Sequence, residues 1–167
     1  MYTHLASPGK IGSLTIKNRM AMTAASASLS EPDGTMTEDM LAYYEARAKG
    51  GVGLIITEMV CVDEERGVLF YRELNAAREE NIPSFRMLAD RIHPYGTKTL
   101  AQLFHPAYMA FPIPGTPQLI APSHVGPHYA RSAPRPATKE ELKVLVRQFG
   151  EAAKRVQRAG GDGVEIH

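Results

Sequence analysis

Side chains suited to holding a planar, polar-edged molecule recur at four points of this 167-residue chain. Thr23 and Ser26 follow the apolar run Met20-Ala21-Met22, and Thr57 and Glu58 close the run Leu54-Ile55-Ile56. Gln102 and His105 fall at the end of a third run, and Glu165 and His167 finish the chain. Together these groups offer hydroxyl, carboxamide, carboxylate and imidazole hydrogen bonding. None decides anything alone. A buried amide such as Gln102 needs a partner, because leaving it unpaired costs about 1–3 kcal/mol, and that partner is either the protein's own backbone or a ligand. His167 taken singly is equally ambiguous. The grouping is more informative, since the polar residues gather at one end of segments that otherwise read as core.

What must position them is a repeated unit: an amphipathic helix, a glycine break, then a short apolar strand ending in a polar residue. It occurs at residues 41–58, 85–105 and 145–167. Helices feeding strands in this way imply βα units and a parallel sheet. Thr37 caps the first helix, with Glu38 and Asp39 in the first turn where the dipole favours anions. Asn81 with Ile82-Pro83 starts the second, since proline is tolerated in a first turn. Thr138 and Glu141 form a capping box for the third, whose Leu142, Leu145, Val146, Phe149, Ala153 and Val156 trace one apolar face. Glycines at 50, 96 and 160 stand where the helices stop. The strands then fall at 19–24, 53–59, 98–104 and 163–167, four parallel strands with three helices. Period-two alternation places Thr57 with Met59, Gln102 with Phe104 and Glu165 with His167 on shared faces. The hairpin-like start, residues 5–16, covers the bottom of the sheet. Residues 106–137 form one long connection that holds eight of the twelve prolines. Loops of that length in compact domains are functional or disordered, and this one follows a strand's C-terminal end, where α/β folds bind ligands.

Other readings of the chain are excluded or weak. A net charge of +1, with 44% hydrophobic and 22% charged residues, gives no footprint for nucleic acid or an anionic membrane. Residues 52–62, the longest apolar stretch, contain Gly, Thr and Glu and fall far short of a span of about 20 residues. The N-terminus lacks the apolar core of a signal peptide, and the expectation is a cytoplasmic α/β domain. Cys61 is the single cysteine, so it reads as a buried, inert thiol rather than part of a disulfide or thiolate cluster. Gly50-Gly51-Val52-Gly53 precedes a strand, whereas a dinucleotide-binding loop follows one. His105, His124 and His128 invite a metal site, but the latter two lie in the proline-rich loop and read as solvated. Tyr43 and Tyr44 read as packing residues. Glu58 alternates away from Thr57, so pairing with a neighbouring cation is expected rather than action as a base.

The ordered motifs carry a family resemblance. Lys17-Asn18-Arg19 with Met22-Thr23-Ala24-Ala25-Ser26, then residues 51–58, then Ala101-Gln102-Leu103-Phe104-His105, Ile120-Ala121-Pro122-Ser123 and residues 161–167 resemble the old yellow enzyme family. The nearest branch is the bacterial NADH:flavin oxidoreductase and 2,4-dienoyl-CoA reductase type. The resemblance implies a (β/α)₈ TIM barrel with FMN at the strand C-terminal ends and NAD(P)H as reductant. By motif, Thr23, Ala24 and Ala25 would line the flavin ring, Met59 would take a small-residue position, and Gln102 would bond the pyrimidine edge. His167 matches the first member of a His-x-x-His or His-x-x-Asn pair that binds the oxygen of an α,β-unsaturated carbonyl substrate and stabilises the developing enolate. Ser26 and Tyr108 join it as substrate contacts.

Two departures stand out. The family's frequent His-x-Gly-Arg after the third strand is His105-Pro106-Ala107-Tyr108 here, and Met59 is bulkier than the usual Gly or Ala. A complete barrel runs to roughly 250 residues. The expectation is therefore that residues 1–167 are an incomplete FMN-binding barrel domain holding strands one to four, catalytically incomplete in isolation. The second histidine-pair member, a proton-donating tyrosine and the flavin-phosphate cradle would lie elsewhere, and an iron–sulfur cluster and FAD would belong only to a longer parent protein. Open edges on the first and fourth strands point to an alternative, a non-catalytic half-barrel that acts by assembling with itself or with a separate C-terminal half.

Overall fold

The computed structural model describes residues 2–66, 69, 71–111, 114–126, 128 and 133–167. Three helices pack on one face of a parallel sheet. β1 (Ala21–Met22) leads to α1 (Glu38–Lys49), β2 (Leu54–Cys61), α2 (Ile82–Ile92), β3 (Lys98–Phe104), α3 (Lys139–Arg158) and β4 (Gly163–Ile166). The sheet order is β1-β2-β3-β4, with every neighbouring pair parallel.

Each helix begins where its cap dictates. The Thr37 hydroxyl accepts the Met40 N–H at 3.2 Å and donates to the Leu29 carbonyl at 2.6 Å. Thr138 and Glu141 form the full reciprocal capping box. Asn81 precedes α2 without capping it, its amide instead donating to the Asn75 carbonyl at 2.9 Å. Met40, Leu41, Tyr44 and Ala48 of α1 and Phe85, Leu88, Ala89 and Ile92 of α2 are buried at helical spacing. They meet the outward side chains of the sheet, including Ile55, Val60, Ala101 and Leu103, in one continuous core. Burial of this kind stabilises by about 25 cal/mol per Å² of apolar surface.

Below the sheet, strands Gly9–Ile11 and Leu14–Ile16 form an antiparallel hairpin. The segment after it is fastened to the N-terminal ends of β2 and β3: Asn18 Nδ2 donates to the Gly51 carbonyl at 2.7 Å and Lys17 Nζ to the Tyr95 carbonyl at 2.6 Å. A Cβ at Gly53 would lie 2.6 Å from the Asn18 carbonyl oxygen, so this crossing admits glycine alone.

Two features depart from regular alternation. Ile56 pairs with Leu100, yet Met59 pairs with Gln102, so Thr57 and Glu58 together oppose Ala101 in a β-bulge. In addition, the two-residue strand Leu74–Asn75 runs parallel to the end of β2, pairing with Val60 and Cys61.

Candidate functional site

Neighbours in register share a face of a sheet, so Ile56, Met59, Leu100, Gln102 and Glu165 lie on the side opposite the helices. Gln102 is 8% exposed. Its Nε2 donates to Glu165 Oε1 at 2.6 Å, and Met59 stands across from it on β2. The amide expected to need a partner therefore finds a carboxylate on the next strand, 63 residues away.

The bulge corrects one expected pairing. Thr57 does not share the face of Met59; it is buried in a crevice with Phe85, Leu88 and Val156, and its hydroxyl donates to the Glu58 carbonyl at 3.0 Å. The extra residue inverts the alternation, and the amide freed from the ladder is met by a side chain: Glu58 N–H donates to the Tyr44 hydroxyl at 2.9 Å. Tyr44 is thus both a packing residue and a hydrogen-bond partner.

Glu58 is a second correction, for it pairs with backbone rather than with a cation. Its Oε2 accepts the N–H of Ala27 at 2.5 Å and of Ser28 at 3.3 Å. Burial raises its carboxyl above the ordinary value, against the lowering by those two amides. Ser28 sits at φ +52, where backbone is strained for a residue with a Cβ. The carboxylate therefore clamps the far end of the segment that carries Thr23, Ala24, Ala25 and Ser26. Thr23, Ala25 and Ser26 are exposed and Ala24 half-buried, leaving an open strip of small side chains past β1.

The loops after β2 and β3 meet at a buried carboxylate. Asp63 is 1% exposed and accepts from Arg66 Nη1 at 2.9 Å, with His105 Nε2 at 3.5 Å. Burial pushes the Asp63 carboxyl up, but His105 and Arg66 more than offset it and hold it below the ordinary value. His105 Nδ1 accepts the Ala107 N–H at 3.2 Å, which leaves the Nε2–H facing Asp63. Arg135 grips Glu141 through two hydrogen bonds, of 2.7 and 2.5 Å, and keeps that carboxyl well below the ordinary range. No cluster of metal-ligating side chains forms among the described residues, and His124 and His128 lie exposed. Cys61 is buried, and burial pushes its thiol up.

Ala107, which the resemblance sets against a glycine, has φ +48, the left-handed conformation that glycine adopts freely. Tyr108 follows, half-buried in a short 3₁₀ turn. His167 is exposed, anchored by its N–H to the Leu103 carbonyl at 2.9 Å. It borders a pocket of about 580 Å³ with His105, Ala121, Pro122, Leu145 and Phe149.

Gln102, Glu165 and Met59 thus come together, with the small-residue strip that follows β1 at the same end of the sheet and His167 beside the loop after β3. Sequence reasoning named Glu165 without its partner, which the cross-strand register supplies, and missed Asp63 and the Tyr44 hydroxyl, whose contacts depend on how a helix and two loops pack on β2. A carboxamide edge and an open strip of small side chains fit the polar edge and one face of a flat heterocycle such as FMN.

These features define the first half of a (β/α)₈ barrel whose ligand side is the C-terminal edge of its strands. The chain belongs to the NADH:flavin oxidoreductase / NADH oxidase family, whose model matches residues 4–167. It is 36% identical over 167 residues to an NADH oxidase of Thermoanaerobacter brockii, covering 99% of this chain and 26% of that protein. It is 35% identical over 164 residues to an NADPH dehydrogenase of Listeria welshimeri, covering 98% of this chain and 47% of that one. Among solved structures, morphinone reductase superposes with a TM-score of 0.88 at 26% identity, over 98% of this chain and 47% of its own. The chain spans about half the length of these relatives or less. No described helix is long and apolar enough to cross a membrane.

Proposed function

We propose that this chain supplies the flavin-ring half of an FMN-dependent NAD(P)H oxidoreductase that reduces activated C=C bonds of enones or enoyl thioesters. The observation that carries the reading is the inward-facing Gln102 amide, tied to Glu165 and set across from Met59 at the ligand edge of the sheet. When bound, FMN would supply two-electron hydride transfer from NAD(P)H to the activated double bond of the substrate. Gln102 binds the pyrimidine edge, Thr23, Ala24 and Ala25 line the ring, and Met59 packs beside it. His167 donates a hydrogen bond to the substrate carbonyl oxygen, which polarises the double bond and stabilises the enolate charge. Ser26 and Tyr108 contribute further substrate contacts.

Residues 1–167 act on this reading as an incomplete FMN-binding domain. The flavin phosphate and the proton donor are served by polypeptide outside these residues, so turnover belongs to an assembled barrel. A second reading is a non-catalytic half-barrel that assembles with itself or with a separate C-terminal half; among the described residues β1 and β4 are the outer strands of the sheet, and Ile166 on β4 is 67% exposed.

An FMN titration of the chain, followed by flavin fluorescence and size-exclusion chromatography on the same sample, tests both. Saturable quenching by a discrete species supports a flavin site within this chain, and no quenching assigns flavin binding to the assembled barrel rather than to residues 1–167 alone. A defined, concentration-dependent oligomer supports assembly, and polydisperse aggregate counts against it. Gln102→Ala removes about two hydrogen bonds to the ring edge, each contributing roughly 1 kcal/mol, and weakens FMN binding about tenfold or more. Unchanged flavin occupancy in that variant refutes the Gln102 assignment.

A further inference from the structure

We infer that Glu165 is a positioning residue that fixes which way round the Gln102 amide faces the ligand, so that the site selects an imide edge, an N–H flanked by a carbonyl. This rests on the flavin reading above.

A carboxamide carries an acceptor and a donor group of nearly the same shape, and turning it by half a rotation exchanges them. Here the exchange is blocked. β3 and β4 are in register through Leu100–Gly163 and Gln102–Glu165, which sets the two side chains abreast on the inner face. An ionised carboxylate has no proton to give, so the group of Gln102 that meets Glu165 Oε1 at 2.6 Å must be its NH₂. A hydrogen bond to a charged acceptor is about twice as strong as a neutral one, and it is made where Gln102 is 8% exposed. On the other flank stands Met59, whose thioether is at most a weak acceptor and offers no rival donor. One Nε2–H is committed to Glu165, and the amide is left with Oε1 as acceptor and its second Nε2–H as donor. The complement of that pair is a ring edge with one N–H beside one C=O.

The test compares FMN with an FMN analogue methylated at the imide nitrogen, in the wild-type chain and in Glu165→Ala and Glu165→Gln. In the wild type the methylated analogue binds more weakly by about tenfold, the loss of one well-placed hydrogen bond with its donor replaced by a methyl. Glu165→Ala frees the amide to turn and collapses that ratio. Glu165→Gln, whose Oε1 accepts the same N–H, restores most of it. A role confined to folding lowers both affinities together, and an unchanged ratio in Glu165→Ala overturns the inference. A second, ligand-free readout is the side-chain amide NMR signal of Gln102: one Nε2 proton is displaced downfield in the wild type and returns in Glu165→Ala. Absence of that displacement overturns the orientation. Failure of the wild-type chain to bind FMN while the displacement is present overturns imide selection by these residues alone and supports the amide orientation.

Discussion

Tyr44→Phe removes one oxygen atom from the core and tests whether the β2 bulge is held by the contact described above. Tyr44 is fully buried, and its hydroxyl accepts the Glu58 N–H at 2.9 Å, the amide released where Thr57 and Glu58 together face Ala101. Burial raises the ionisation of that hydroxyl well above the ordinary tyrosine value, so it stays neutral at any pH in use. The ring survives in phenylalanine and no cavity larger than an oxygen is opened, so the cavity cost of a truncation is nearly absent. What remains is a buried backbone N–H without a partner, at about 1–3 kcal/mol. With a urea dependence of about 2 kcal/mol per molar for a domain of this size, the midpoint of unfolding falls by roughly 1 M. Circular dichroism follows the transition. Tyr43→Phe is the control: Arg47 lies 3.6 Å from the centroid of the Tyr43 ring, a contact phenylalanine keeps, and its midpoint stays close to the wild type. Because the bulge also sets Glu58, amide exchange at Ala27 and Ser28 quickens in Tyr44→Phe. A midpoint within about 0.2 M of wild type, with exchange unchanged at both residues, refutes the argument.

Asp162→Asn cuts the contact of the segment before β4 with Lys98 Nζ at 2.8 Å, the Thr99 N–H at 2.9 Å and His93 Nε2 at 2.8 Å. Burial pushes the Asp162 carboxyl up, but these partners outweigh it and hold the group below the ordinary 3.8. Its contribution is therefore complete above that value and is lost as pH falls below 3.8 through the lower folded value, so the wild-type advantage over Asp162→Asn in urea unfolding closes only in that acid range. An advantage that instead closes between neutral pH and 5 contradicts the assignment. Ala107→Gly relieves a left-handed residue at φ +48. The strain of about 1–2 kcal/mol, less the larger backbone entropy glycine loses on folding, leaves a gain of about 0.5–1 kcal/mol, read as a raised unfolding midpoint. A lowered midpoint refutes it.

The elements were legible wherever a local signal fixed them. Thr37 and the Thr138–Glu141 box announced two helix starts that the structure reproduces, and β3 runs over the span its apolar residues indicate. Leu74–Asn75 carried no such signal, because a two-residue strand is defined only by the partner it finds at Val60–Cys61. Glu58 misled for a related reason. A carboxylate in an apolar run suggests a cation, while the Ala27 and Ser28 amides that satisfy it come from a segment whose path no pattern specifies. At the candidate site, alternation gave Gln102 and Glu165 their faces correctly but could not make them neighbours, since that requires the register between strands 63 residues apart.

The bulge is the feature that ties these observations into one site. Were β2 regular beyond the Ile56–Leu100 pair, Thr57 would oppose Ala101 and Glu58 would stand across from Gln102. Gln102 would then be flanked by two carboxylates, Glu58 on one strand and Glu165 on the other. Both accept only, so both would compete for its NH₂, and their like charges would repel across the buried amide. Inserting one extra residue opposite Ala101 exchanges Glu58 for Met59 at that position. The two carboxylates are separated and given different duties. Glu165 holds the amide, and Glu58, turned away, holds Ala27 and Ser28 and so the strip of small residues past β1. On this argument the bulky Met59 is the neutral spacer beside Gln102, and its side chain packs against the cluster of Cys61, Leu69 and Phe104.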